Sequence, residues 1–332
     1  QNMKKKNSNV KKKVHKSLLN KLNNRKINKI YTDFKNSLSK SYNGGGLAVA
    51  LSGGPDSLAL SYLAKCYSLE NNIRIFFYIV DHKLRNNSSK EAKKVKSILA
   101  KFDLKCQILS WKGKKPKSNI QSLARDKRYF LLANQCYKNN VKNILFAHHI
   151  DDLYENFFIR LLRGSGLHGL LSFNNIKTSK DENINILRPL IKFNKKDLIY
   201  IAKKVFKFYI VDPSNNSDTF KRVRLRKLIQ FLKKEGLDEK KFKLTLNNLT
   251  KSNLTINFYV EKNIISNSKQ LKNKSTFILK KNFFLQPYEI VFRSLSQILK
   301  QIGKKYYYPR GKSVDYILTG LEDKKLKKMT LA

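Results

Sequence analysis

Apolar residues along this chain fall into two kinds of run, and the two kinds alternate. Leu47–Leu51 is a short uncharged stretch, the pattern of a strand buried on both faces of a parallel sheet. Ile73–Val80, nearly all apolar, reads as a second strand, and Lys105–Ser110 and Asn143–Ala147 as a third and a fourth. Between them lie segments with helical spacing: Leu58–Lys65, a polar helix over 88–102, and Ile120–Leu132. Ahead of the first strand, Leu18, Leu19, Leu22, Ile27, Ile30, Phe34 and Leu38 predict one or two helices, and Gly44–Gly46 makes a hinge into the strand. Strands alternating with helices predict an α/β fold, a Rossmann-like parallel sheet with helices on both faces. Further on, 172–185 reads as a polar connector, 187–190 as a short turn, and 195–207 as a basic helix. From about 236 the glycine turns and acid clusters stop, and leucine-bearing helical patterns with Asn and Lys predict a small, mainly helical C-terminal domain. The expected division is 1–43, a basic tail and helix; 44–235, an α/β domain; and 236–332, the helical domain.

Composition refines this picture in three ways. The 332 residues are 41% hydrophobic, enough for two domains with a sizeable core, and no window approaches the roughly 18 apolar residues of a membrane span. The three cysteines, Cys66, Cys106 and Cys136, form no C-x-x-C pair, so neither a zinc knuckle nor an iron–sulfur site is indicated, and a reducing cytoplasm fits. Seventy Lys and Arg against 23 Asp and Glu give a net charge of +47. Such a balance points to a polyanion, most simply nucleic acid; an A/T-rich coding bias would also supply lysines, though it does not explain so few acids. Residues 1–16 are basic and polar without the apolar core of a secretory signal, and a disordered arm is expected there.

The densest candidate chemistry is Ser52-Gly53-Gly54-Pro55-Asp56-Ser57, directly after the first strand. Two glycines let the backbone approach an anion, and the following helix offers amide N–H groups and a positive dipole end to phosphate. Pro55 suits the first helical turn, and Asp56 and Ser57 are residues of the N-cap type. A Walker loop would carry Lys where Asp56 stands; an acid beside phosphates makes sense if it holds Mg²⁺.

Other motifs fall where this fold would bring them close, since ligands of open α/β sheets bind at the carboxyl ends of strands. Asp81-His82…Arg85 ends the second strand, and His82 and Arg85 could meet adenosine or phosphate. Gln121, Arg125 and Arg128 share one helical face. His148-His-Ile-Asp151-Asp152-Leu-Tyr-Glu155-Asn156 follows the fourth strand, and its carboxylates converge at a helix start. Hard oxygen ligands suit Mg²⁺; zinc is the alternative, but adjacent histidines after a strand point to opposite sides. Arg163 leads into Gly164-Ser-Gly166, and Asp212-Pro-Ser-Asn215 is a turn signal. Lys221–Lys227 holds five cations in seven residues, including Arg222, Arg224 and Arg226, a candidate RNA-backbone contact. Tyr306-Tyr-Tyr308-Pro-Arg310 could stack on bases or anchor a core. Finally, 13 of the 70 cations are Arg and eight of those lie between 120 and 230. Arg presents a bidentate fork that Lys cannot copy, so these positions mark sites where fork geometry is needed.

Taken together, the loop at Ser52–Ser57, Asp81-His82…Arg85, Gln121…Arg125…Arg128, His148–Asn156, Arg163–Gly169 and Asp212–Asn215 with the arginines after it resemble the tRNA(Ile)-lysidine synthase family of the N-type ATP pyrophosphatases. The resemblance covers about 45–230 and is weaker beyond. Longer members carry a second C-terminal domain, and the chain is expected to lack it. The resemblance implies that ATP adenylates the C2 oxygen of the wobble cytidine of a CAU anticodon and that free lysine then displaces AMP. It implies Asp56, Asp152 and Glu155 as catalytic residues. Ser52, Gly53, Gly54, Pro55, Asp56, Ser57, His82 and Arg125 would bind ATP. Arg128, Arg163, Arg222, Arg224 and Arg226 would bind tRNA, Asp56 and Asp152 would hold Mg²⁺, and the helical C-terminal domain would add tRNA contacts. The implied partners are tRNA(Ile) with a CAU anticodon and free L-lysine, in the cytoplasm and without a membrane; a homodimer is left open. Sulfur-inserting tRNA enzymes share such a loop but need reactive cysteines. A small-molecule amidotransferase would bring a glutaminase part, and a non-catalytic RNA-binding protein would leave the loop and acids unexplained.

Overall fold

The computed structural model describes residues 2–84, 87–111, 113, 120–171, 173, 184–211, 221–271, 276–304 and 308–323, with backbone alone at 2–9, 121 and 122. Arg85, the side chain of Gln121, Asp212–Asn215 and Tyr306–Tyr307 lie outside the described residues. These fall into two compact units: 1–165 with 172–235, and 166–171 with 236–332.

The first unit is built on five parallel strands: β1 (Leu47–Leu51), β2 (Ile75–Asp81), β3 (Cys106–Ser110), β4 (Asn143–Leu145) and β5 (Asn185–Leu187), in the order β3-β2-β1-β4-β5. This is the expected Rossmann-like sheet. Strand alternation divides its side chains between two cores. Leu47, Val49 and Leu51 of β1, with Phe77 and Ile79 of β2, pack among residues of helices α3 (Pro55–Glu70), α4 (Ser88–Ala100) and α8 (Lys195–Phe206). Ala48 and Ala50 point the other way with Tyr78, towards Leu132 and Cys136 of α5 (Ile120–Lys138). β5 was read as connector and turn. Three residues are too few for a periodic signal; Asn185–Leu187 becomes a strand because β4 offers it a parallel partner.

The N-terminal segment also departs from expectation. Residues 2–20 form helix α1 and Arg25–Ser39 forms α2. Leu18 and Phe34 are wholly buried in the first core, the Tyr62 hydroxyl donates to the Leu18 carbonyl at 3.2 Å, and His15 meets Asp103 at 2.7 Å. Lysine and asparagine without proline or glycine permit a helix, and its docked C-terminal end holds it.

The second unit holds α7 (Leu167–Leu171), α10 (Glu239–Asn267), α11 (Lys281–Phe284), α12 (Tyr288–Ile302), α13 (Gly311–Glu322) and a short antiparallel pair, β6 (Ser268–Gln270) and β7 (Phe277–Leu279). The hairpin was not expected from sequence. Phe283, Val291, Leu295, Ile298 and Val314 form its core. Arg293, buried between helices, donates to Asn253 at 2.7 Å and pairs with Glu289 at 2.6 Å.

The order of the sheet reverses about β1, so the carboxyl ends of β1 and β4 define the crevice. The backbone of Gly53, just past β1, sits at φ +81°, and a Cβ there would lie 2.7 Å from Val95 and 2.9 Å from Ile210. The Ile210 amide donates to the Gly53 carbonyl at 2.9 Å, fixing the turn against the chain after α8. Gly54 is different: a Cβ would make only an ordinary 3.6 Å contact with Ser52 Oγ. Gly53→Ala should therefore cost at least about 2 kcal/mol in urea unfolding, from strain and overpacking together, while Gly54→Ala should change stability little. Equal losses at the two positions would contradict this account of the turn.

Candidate active site

Helix α3 starts at Pro55 with Gly54 as its N-cap, two to three residues earlier than Asp56 and Ser57 suggested, because the glycine itself adopts the extended backbone a cap needs. Ser57 is buried and holds the loop together. Its Oγ accepts the Ser52 amide at 3.2 Å and donates to the Gly54 carbonyl at 3.0 Å. Ser52 is exposed at the rim. Asp56 thus stands in the first helical turn, partly covered rather than on an open loop, and its Oδ1 is buried without a hydrogen-bond partner.

The segment leaving β4 is held by its neighbour. The Phe146 amide donates to Leu187 at 2.9 Å and the Ile150 amide to Phe193 at 3.1 Å. These bonds present His148 and His149 in opposite senses before α6 (Ile150–Leu161) begins. His149 is buried and caps α6. Its Nδ1 accepts the Asp151 amide at 3.3 Å, while Asp152 Oδ2 accepts the His149 amide at 2.9 Å. The opposite ring nitrogen, Nε2, lies 3.7 Å from Asp56 Oδ2 and 3.6 Å from Asp152 Oδ2. Sequence reasoning paired the two aspartates but missed the histidine between them.

His148 turns the other way. It stacks on Phe146 at 5.7 Å and accepts at Nδ1 from Arg188 Nε at 3.1 Å. It lines an open pocket of about 310 Å³, solvent at its mouth included, together with Arg125, Asp152, Glu155, Asn156, Phe173 and Arg222. The lining supplies donors, Arg125 and Arg222, and acceptors, Asp152 and Glu155. Asn156 Nδ2 is buried there without a partner.

Helix α9 (Lys221–Lys234) packs its charges onto α6. Arg226 Nε meets the buried Glu155 carboxylate at 2.5 Å, and Lys233 meets Asp151 at 3.2 Å. Glu155, expected as a catalytic residue, and Arg226, expected to bind tRNA, are thus paired in the protein alone. On α5, Arg125 lies over Tyr129 and Arg128 over Phe146, at 5.4 and 5.5 Å. Arg163 and Arg224 are exposed and do not line this pocket. His82 stands edge-on to Trp111 at 6.4 Å, and its buried Nδ1 lacks a partner.

Electrostatics follow the geometry. Burial, opposed by His149 and Lys195 and reinforced by Asp152, pushes the Asp56 carboxyl above its usual value. Burial and Arg128 push His82 down, and burial with Arg188, Arg128, Arg125 and Arg222 pushes His148 well below the usual histidine value. Asp81 is also buried, yet the Ser89 and Ser88 hydroxyls and the Lys83 amide outweigh that cost and hold it low. Among the described residues no group of three or more His, Cys, Asp or Glu is arranged as a metal cage. Two carboxylates with one orphaned oxygen, Asp56 Oδ1, instead suit Mg²⁺ shared with phosphates.

A parallel sheet of this order with a glycine turn and acids at its switch point defines a nucleotide-handling α/β protein. Residues 19–232 match the PP-loop domain, and the chain belongs to that family. It is 43% identical over 185 residues to the tRNA(Ile)-lysidine synthase of Orientia tsutsugamushi (strain Boryong), covering 55% of this chain and 41% of that protein. To the enzyme of the same name from Rickettsia rickettsii (strain Sheila Smith) it is 39% identical over 201 residues, 60% and 40% of the two chains. To that of Bradyrhizobium diazoefficiens it is 35% identical over 212 residues, 63% and 58%. The matches thus span about half the length of these relatives. The fold resembles the U34-tRNA thiolase NcsA from Methanococcus maripaludis, solved with its [4Fe-4S] cluster, with a TM-score of 0.55 and 17% identity over 64% of this chain and 74% of that one.

Two outcomes test these electrostatics. The raised Asp56 pKa means that the folded protein binds that proton more tightly than the unfolded chain does. Its stability contribution therefore falls as pH rises from about 4, the ordinary carboxylate value, through the raised value. The melting-temperature advantage of Asp56→Asn over wild type should grow across that window and then level off; an advantage independent of pH would reject the assignment. Arg226→Ala should lose about 2 kcal/mol, less than the 3–5 of a fully buried pair because Arg226 is one-third exposed. Adding Glu155→Gln should restore most of that loss in urea unfolding.

Proposed function

We propose that the chain is an ATP-dependent carbon–nitrogen ligase, a tRNA(Ile)-lysidine synthase. The observation that carries this reading is a pocket lined by both kinds of group. Arg125 and Arg222 suit phosphate, and Asp152 and Glu155 suit an ammonium group, with His149 between Asp152 and the Asp56 carboxylate that follows the glycine turn. In the first step the C2 oxygen of the wobble cytidine attacks the α-phosphorus of ATP and pyrophosphate leaves. The turn at Ser52–Gly54 and the start of α3 receive the leaving pyrophosphate, and Arg125, Arg128 and Arg222 hold the phosphates in fork geometry. Mg²⁺ held by Asp56 and Asp152 would supply charge neutralisation on the phosphates. In the second step the ε-amine of free lysine attacks C2 and AMP leaves. That amine has a free pKa of about 10.4, so a carboxylate must orient it and take up its proton. Asp152 and Glu155 stand where such a group is needed, with Arg226 sharing Glu155 until the amine arrives.

The same reading places His82 at the adenosine, and gives Arg163, Arg224 and the second unit to tRNA. Sulfur insertion finds no support in the chain's three cysteines: all are buried, and burial pushes each thiol up to about 12. Among the described residues no helix is long and apolar enough to cross a membrane.

Incubation with ATP, labelled lysine and total tRNA should place the label in RNA, with AMP and pyrophosphate formed in equal amounts. Asp56→Ala should release pyrophosphate at least about 100-fold more slowly while keeping its circular-dichroism spectrum. Label absent from RNA in the presence of active ATP cleavage would reject lysine as the substrate, and pyrophosphate release by Asp56→Ala at the wild-type rate would reject the metal-side role.

A further inference from the structure

His148 and Arg188 were in neither the ATP-binding nor the tRNA-binding set, yet His148 lines the pocket and Arg188 holds its ring. Arg188 follows β5, and the pairing of β5 with β4 brings it beside the residue that leaves β4. A guanidinium nitrogen has only hydrogens to offer. Its approach to His148 at 3.1 Å therefore makes Nδ1 the acceptor and leaves the ring proton on Nε2. Two further contacts fix the orientation. The ring is stacked within 9° of parallel on Phe146, and the Arg188 guanidinium lies 5.1 Å above Phe173, whose ring meets His148 edge-on at 5.2 Å.

The charged groups around this ring come from four places: Arg188 after β5, Arg125 and Arg128 on α5, Arg222 on α9, and Asp152 with Glu155 on α6. We propose that Arg188 is a positioning residue that holds His148 as its Nε2–H tautomer, and that this N–H, beside Arg125 and Arg222, donates to a non-bridging oxygen of the adenylyl phosphate. The assignment of the phosphate rests on the function proposed above; the tautomer does not. A neutral ring suits the place. It adds a directed hydrogen bond where a further cation would be repelled by four guanidinium groups, and a neutral imidazole can serve as a donor in catalysis. No proton is transferred from His148 in either step.

The test has two parts. Nitrogen-15 NMR of the histidine rings in the intact, substrate-free protein should show His148 neutral and protonated at Nε2 between about pH 5 and 8, the range in which histidines ordinarily titrate. In Arg188→Met the same ring should become a mixture of Nδ1–H and Nε2–H tautomers, and pyrophosphate release should slow with the lost Nε2–H fraction. In the second part, glutamine reproduces an Nε2 donor and asparagine an Nδ1 donor. His148→Asn should slow adenylation at least about 100-fold, the usual effect of losing one such donor, mainly in kcat, while His148→Gln should keep most of the rate. A wild-type ring protonated at Nδ1, or charged in that pH range, would overturn the lock. Equal rates for His148→Asn and His148→Gln would overturn the donor role even with the tautomer confirmed.

Discussion

Acids cannot be gathered at the end of a parallel sheet unless cations are brought to face them. Asp56, Asp151 and Asp152 stand at the starts of α3 and α6, where helix dipoles help, but the buried Glu155 lies in the second turn of α6, beyond that help. The remaining compensation arrives from outside the strand–helix units. α9 brings Arg226 to Glu155 and Lys233 to Asp151, and His149 stands between Asp56 and Asp152. Asp56 Oδ1 is left unsatisfied, so the protein alone holds these carboxylates in an arrangement that a bound cation would complete.

The same arrangement gathers both signs of charge about one pocket. Arginines from α5 and α9 and carboxylates of α6 line it together, with His148 among them. A site of this kind offers partners to a phosphate and to an amine. Arginine rather than lysine fits the need, because planar forks stack on the rings that surround the pocket: Arg125 on Tyr129, Arg128 on Phe146 and Arg188 on Phe173. In a chain whose default cation is Lys, five arginines converge about this one cleft, namely Arg125, Arg128, Arg188, Arg222 and Arg226.

Packing explains why the glycine turn has its shape. Gly53 is held between Val95 of α4 and Ile210 beyond α8, so its lack of a side chain serves the fold. Gly54 has room for one, and its smallness is left for whatever approaches the backbone from outside. The two neighbours in one motif thus answer to different constraints.

Much of this was legible in the chain itself. Uncharged runs of five to seven residues betray strands covered on both faces, and a glycine turn between strand and helix betrays an anion site; both signals are local. The pairing of Asp152 with Glu155 is local too, since three residues bring them onto one helical face. What the tertiary structure decided was every relation between segments distant in sequence. β5 exists because β4 offers it hydrogen bonds, and α1 is ordered because Leu18 finds the first core. Arg188 governs His148 only because parallel pairing sets it beside a residue 40 positions earlier. Arg226, which sequence assigns to RNA, is turned to Glu155, 71 positions away, because a buried carboxylate draws the nearest guanidinium. A sequence states which groups are charged, and only the fold determines which opposite charge each of them meets.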